Sequence, residues 1–345
     1  MKLKIALLFG GISNESDISI ESAKSIINII DKNKYDVYYI YIDKDGDFYK
    51  CEEIKDNNDI VNKVKIDNIV SYLKEFDLVF PVMHGIYGED GTIQGFLETI
   101  GVKYVGCKLN SSSICMDKYL TRLLLKEGNI NQTNYICIKK ENDEYIYVDE
   151  ELNEIKGELS NICKIIETKL KYPLFIKPCN SGSSIGINYA NNNRDLIRYI
   201  EEASSIDNKI IIEENINGRE VECGVLGNTD LIISSIGEVK TNNNFYSYNE
   251  KYNNNNFEIV IPSKLDDYIV KEIKRIAKKV YKLLGCKVLS RIDFFVEDKT
   301  NKIFVNEINT MPGFTNNSMF IKLFLYDGIN NEELINRIIE LSIKE

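Results

Sequence analysis

The segment VLSRIDFFVEDKTNKIFVNEIN at residues 288–309, which runs on into TMPGFT at 310–315, decides how the rest of the chain is understood. Two apolar, β-rich runs flank a polar turn at about 298–302, which predicts a pair of strands. A hairpin centred near Thr300 sets Asp293 opposite Glu307 and Arg291 opposite Asn309. Because side chains alternate along a strand, Arg291, Asp293, Glu307 and Asn309 then share one face, and Ile292, Phe294, Phe304 and Ile308 the other. Facing carboxylates repel, and partial burial makes both charges costlier, so a cation is expected between them. Two carboxylates and an amide in reach of one another are an oxygen-only donor set suited to Mg²⁺, which takes carboxylates together with phosphate oxygens and keeps some water. Arg291 is left to hold a phosphate or a developing oxyanion, and the Pro312-Gly313 turn can bring a bare backbone amide close to a substrate. An isolated Asp and Glu would be a solvated strand face with a surface ion pair. Alternation, cross-strand pairing and the Asn together favour the metal.

A second constellation precedes it in KPCNSGSSIG, residues 177–186. Lys177 ends an apolar strand, and Gly182, Ser183, Ser184 and Gly186 form a loop rich in amide and hydroxyl donors, a suitable cover for a triphosphate. No G-K-[ST] enters a helix here, so this is not a Walker A loop. Alone it would be an ordinary hairpin turn. The lysine ahead of it and the metal face behind it raise the nucleotide reading.

Outward from these two sites, the 345 residues are too many for one typical small domain and predict two or three domains with a cleft between them. A formal net charge of -10 with no basic stripe argues against nucleic acid as partner. No signal peptide and no apolar run of membrane-spanning length are visible, so a cytoplasmic protein is expected. The eight cysteines are dispersed without a C-x-x-C pair and are expected to be reduced thiols, mostly core filler. A single histidine, His84, excludes a His-rich metal site and argues against a Ser-His-Asp triad.

The first hundred residues alternate strand and helix: KIALLFGG at 4–11, DISIESAKSIINII at 17–30, YDVYYIYID, DLVFPVMHG at 77–85, GTIQGFLETIG at 91–101 and VKYVG. That rhythm predicts a helix-covered parallel sheet, with Gly10, Gly11 and His84 beyond the carboxyl ends of its strands, where ligands bind. The pattern G-x-G-x-x-G is absent after the first strand, which disfavours a nicotinamide enzyme. SSSICMDKYLTRLLLKEGN reads as one amphipathic helix, and KIIIEENINGREVECGVLG as a strand, a turn at Asn217-Gly218 and a further strand. Eight asparagines between 242 and 256 predict a loop of low intrinsic order.

Taken in order, LFGGISNES, HGIYGEDGTIQG, CMDKYLTR, FIKPCNSGSSIG, EENINGREVE, FYSYNEKY, RIDFF and NEINTMPGFT resemble the ATP-grasp fold and, within it, the D-alanine:D-alanine ligase family. The resemblance implies an α/β (α+β overall) architecture. An N-terminal parallel α/β substrate domain would span 1–110, and α+β subdomains at 111–212 and 213–345 would grip ATP. It implies that Glu15, Ser183 and Tyr252 form a hydrogen-bonded group closing the site over the first D-alanine, which His84 approaches. Lys118 and Lys177 resemble the lysines on ATP phosphates, with Ser183 and Ser184 in the covering loop, Glu213 at the adenine, Glu220 at the ribose and Lys251 on a mobile loop. Asp293, Glu307 and Asn309 match ligands of two Mg²⁺ or Mn²⁺ ions, Arg291 and the Gly313 amide the oxyanion stabilisers, and Ser318 with Met319 the second-substrate pocket. The activity so implied is ATP-dependent joining of two D-alanines through an acyl phosphate, for peptidoglycan precursors, by a homodimer with no membrane or nucleic-acid partner. Asn317 stands where the family usually carries an aromatic residue or histidine. YVGCKLNSSSICMDKYL is similar to glycopeptide-resistance ligases, of which the D-Ala-D-Ser type generally carries arginine where this chain has Met319. D-alanine is therefore the expected second substrate and D-serine the alternative. A nucleotide-binding homologue without ligase activity is the rival of another class.

Overall fold

The computed structural model describes residues 2–149, 151, 153–241 and 257–345. The chain builds three main sheets in succession. In the first, strand Leu3–Gly10 runs parallel to Tyr35–Ile42 on one side and to Leu78–Pro81 on the other, with Phe48–Cys51 antiparallel beyond Tyr35–Ile42. Ile5 through Phe9 are buried without a break, as befits a central parallel strand covered on both faces. Helix Ser16–Ile29 turns Ile20, Ala23 and Ile26 inward and packs on that sheet. The later segment VKYVG adds only a single bridge, Val79 to Tyr104, rather than a full strand.

The middle sheet is antiparallel, in the order Glu154–Gly157, Glu144–Val148, Tyr135–Glu141, Lys209–Glu214, Leu174–Pro178, Asn188–Ala190. Helices Leu159–Lys169 and Asn193–Ser204 bury one face of it. The register places Lys177 beside Ile211 and Ile211 beside Cys137, so Lys177 and Glu213 stand on the opposite face. The last sheet has the order Phe257–Val260, Gly237–Thr241, Gly218–Leu226, Leu289–Glu297, Ile303–Asn309, and helix Asp267–Leu283 covers one side of it. The chain then returns to its start: Phe320, Phe324, Leu334, Ile335, Ile338 and Ile339, from helices Met319–Tyr326 and Asn331–Ile343, share one apolar core with Ile5, Leu7 and Phe9.

Two expectations need correction. The amphipathic run from 111 is two helices, Leu109–Met116 and Lys118–Glu127, because Asp117 takes an extended conformation and its side chain accepts a hydrogen bond from Leu120 N. Strands Lys209–Glu214 and Gly218–Leu226 form on either side of the 215–217 connection as expected, and they lie in different sheets. In the 288–309 hairpin the register is as expected from Arg291 to Asp293, but it shifts before Phe294, which pairs with Val305. Asn306 is the extra residue of a β-bulge, so Val305 rather than Phe304 joins Phe294 in the core. Phe304 lies opposite Phe295, with Lys302 Nζ 4.9 Å from its ring centre. The asparagine-rich 242–256 segment, with Lys251 and Tyr252, lies outside the described residues.

Candidate active site

A cavity of about 540 Å³ opens where the three sheets approach one another. Glu15, His84, Lys118 and Ser183 line it from the first two-thirds of the chain; Arg291, Glu307, Asn309, Gly313, Ser318 and Met319 line it from the last. Lys177, Ser184, Glu213, Glu220 and Asp293 are not part of this lining.

The first corner belongs to Glu15, only 6 % exposed at the start of helix Ser16–Ile29. Ser183 Oγ donates to Glu15 Oε1, joining the first lobe to the Gly-Ser loop of the middle one. Two glycines make this approach possible. A Cβ on Gly182 would come within 2.8 Å of Glu15 Oε2, and one on Gly85, whose φ is +72°, within 2.1 Å. Ser183 and Ser184 both take left-handed φ, +49° and +59°, uncommon for residues with a side chain.

The second corner is cationic. Lys118 opens its helix and donates from Nζ to Ser181 O at 2.5 Å. Burial lowers the pKa of its ammonium, while Glu307 nearby supports the charge. Behind it, Glu213 is 2 % exposed and gripped by two cations, Arg122 at 2.6 Å and Lys177 at 2.6 Å. Burial alone would raise this carboxyl, but Arg122 and Lys177 hold it down at about 2. The side chain expected at an adenine is thus held in an ion-pair clamp.

The third corner is acidic. Across three adjacent strands Glu222 pairs with Asp293 and Asp293 with Glu307, so three carboxylates form one cross-strand row, with Gly224, Arg291 and Asn309 in a neighbouring row. Arg291 holds Asp293 with two bonds of 2.8 and 2.7 Å and Glu222 at 2.7 Å, and Asn309 Nδ2 donates to Asp293 at 3.0 Å. Asp293 is 1 % exposed and stands behind the others, whereas Glu222, Arg291, Glu307 and Asn309 line the cavity. Among the described residues no three Asp, Glu, His or Cys side chains converge as a ready metal cage. An oxygen-only, acid-rich set of this kind fits a hard divalent cation that enters with phosphate oxygens rather than one held by protein alone.

Four participants escaped the sequence reading: Arg122, Glu222, Glu89 and Ser22. Arg122 follows Lys118 by four residues and so shares its helix face, a usable signal. Glu89 lies within HGIYGEDG and lines the cavity, and burial with the charge of Glu15 pushes its carboxyl up to about 8. Glu222 and Ser22 gave no signal, since only the sheet register and lobe packing bring them in.

The cavity, with Lys118 at one end and a carboxylate row at the other, sits in an ATP-grasp fold, the fold of an ATP-dependent ligase. Two family models, described as D-ala D-ala ligase N-terminus and C-terminus, match residues 4–107 and 124–340. The chain belongs to the D-alanine–D-alanine ligase family. It is 42% identical to a D-alanine–D-alanine ligase of Caldicellulosiruptor bescii, over 100% of this chain and 96% of the relative. Among solved structures it is similar to the VanG D-Ala:D-Ser ligase of Enterococcus faecalis, with TM-score 0.82, 33% identity and coverage of 99% and 100% of the two chains. It is also similar to the D-alanine–D-alanine ligase of Bacillus anthracis complexed with ATP, with TM-score 0.76, 27% identity and coverage of 99% and 98%.

Proposed function

We propose that this enzyme joins two D-alanines into D-alanyl-D-alanine at the expense of ATP, for peptidoglycan precursors. The observation that carries the reading is the meeting, in one cavity, of Lys118, the Glu307–Asn309 end of the acidic row, Arg291 and Gly313. A carboxylate is a poor electrophile, so the first D-alanine must be activated. Glu15 accepts its ammonium, and its carboxylate takes the γ-phosphoryl group to give an acyl phosphate and ADP. Lys118 neutralises the transferring phosphoryl charge, and the Gly-Ser loop covers it. Asp293, Glu307 and Asn309 would hold two divalent cations, Mg²⁺ or Mn²⁺, which supply charge neutralisation to the triphosphate. The amine of the second D-alanine, seated against Ser318 and Met319, then attacks the acyl carbon. Arg291 and the Gly313 amide stabilise the tetrahedral oxyanion, and phosphate leaves. A Cβ at position 313 would lie 2.8 Å from Ser318 Oγ, so glycine lets the second-substrate hydroxyl and the oxyanion amide sit side by side.

In this reading Lys177, Glu213 and Glu220 act at the nucleotide, with Glu213 fixing Lys177, and Tyr252 and Lys251 complete the closure. Residues 1–110, 111–212 and 213–345 serve as the three lobes, in a homodimer working in the cytoplasm where ATP is made. No helix among the described residues is long and apolar enough to cross a membrane. The likeness to VanG favours D-serine as a second reading for the second substrate, whereas the apolar Met319 favours D-alanine. The deciding experiment supplies ATP and Mg²⁺ with D-alanine, then with D-serine added, and identifies products by mass. Dipeptide from D-alanine alone upholds the proposal, and D-Ala-D-Ser as the dominant mixed product transfers it to the second reading. No product from any D-amino acid sinks both.

A further inference from the structure

The loop Met311–Phe314 carries the Gly313 amide, and it is held from beneath by side chains of the first lobe. Glu89 accepts from Gly85 N at 2.8 Å through one oxygen and from Met311 N at 3.3 Å through the other. Ser22 Oγ accepts from Phe314 N at 3.3 Å and lies 3.0 Å from His84 Nε2. The Met311 backbone near the ring of His84 acts to favour its charged form. Burial nevertheless pushes His84 down to about 4, so the ring is neutral at physiological pH. The apolar ends of the loop are fixed on the same lobe, with Phe314 edge-on to Phe80 at 5.8 Å and Met311 only 2 % exposed. Pro312 has no N–H, so the two amides flanking Pro312-Gly313 are those of Met311 and Phe314, and both are taken by the first lobe.

We propose that Ser22, His84 and Glu89 are positioning residues that clasp the 311–314 backbone and so aim the Gly313 amide at the oxyanion. On this view the principal work of His84 is to hold the loop through Ser22, not to touch the first substrate. The inference rests on the reading of Gly313 as an oxyanion donor.

The test uses Ser22→Ala and Glu89→Gln in the full chain. Alanine suits the helix that carries Ser22, and glutamine preserves shape while turning an NH₂ toward one of the two amides. A slightly misplaced donor should lower kcat for dipeptide formation by about 10- to 100-fold, with KM for the first D-alanine unchanged. Amide hydrogen exchange over residues 309–318 should accelerate in Ser22→Ala. A raised KM with unchanged kcat would mean that the cluster shapes the substrate pocket, and would overturn the proposal, as would unchanged exchange. If the wild-type enzyme makes no dipeptide, the proposed function falls. The exchange measurement then still decides whether Ser22 clasps the loop.

Discussion

Two carboxylate sites, one in the middle lobe and one in the last, are balanced differently. Glu213 in the middle lobe has a cation on each oxygen, Arg122 and Lys177, and its charge is fully matched. In the last lobe Glu222, Asp293 and Glu307 stand in one row, and Arg291 is the cation that bridges the first two. The matched site behaves as a strut: it fixes Lys177, and both of its oxygens are engaged. The acidic row sets three carboxylates on neighbouring strands with its Glu307 end on the cavity, the end that would meet a metal-bound triphosphate in the proposed reaction. Similar residues thus yield a structural clamp or a working site according to how many cations the register delivers.

Glu307→Ala should separate the two most sharply. It removes the cavity end of the row, and turnover should fall by about 10³-fold, while the melting temperature should fall only modestly as buried Lys118 loses the carboxylate that supports its charge. Glu213→Ala should do the reverse and show chiefly in stability. It leaves Arg122 and Lys177 buried without their partner, so urea denaturation should report a loss of about 3–5 kcal/mol. Acid should find the clamp as well. The Glu213 carboxyl lies at about 2 against an ordinary 4.5, so the unfolded chain binds more protons between those values. Stability should therefore fall as pH drops through that window, and Glu213→Gln should flatten the dependence. His84, down from 6.5 to about 4, adds a decline of the same sign as pH falls from 6.5 towards 4. The smallest effect should come from Arg337→Ala, which breaks an ion pair with Glu333 whose partners are 39% and 42% exposed. That change should cost less than about 0.5 kcal/mol, showing that burial rather than pairing makes the Glu213 clamp strong.

Local pattern carried the sequence reading a long way. The parallel first sheet follows from its strand-helix rhythm, and the pairings of Arg291 with Asn309 and Asp293 with Glu307 follow from side-chain alternation about one turn. The bulge at Asn306 was not legible, because an extra residue leaves the apolar pattern of a short strand almost unchanged. Nor was Glu222, whose partnership with Asp293 depends on which distant strand docks beside Leu289–Glu297. Glu213 shows the same limit from another side. Its place in EENINGREVE suggested a ligand contact, while the two cations that occupy it come from separate elements. Ser22 is invisible for a further reason: a small polar residue inside an amphipathic helix has no signature until the loop it serves is in place.

The return of helices Met319–Tyr326 and Asn331–Ile343 to the opening sheet has a consequence for how the protein is born. Ile5, Leu7 and Phe9 leave the ribosome first, yet part of the core that covers them is encoded by Leu334, Ile335, Ile338 and Ile339 at the far end of the message. The nascent first lobe must wait with that apolar surface uncovered until residues 334–339 have been made, whereas the middle sheet has its helices within its own stretch of chain. A premature stop before Asn331 would therefore injure the first lobe to be synthesised, at the opposite end of the sequence from the lesion.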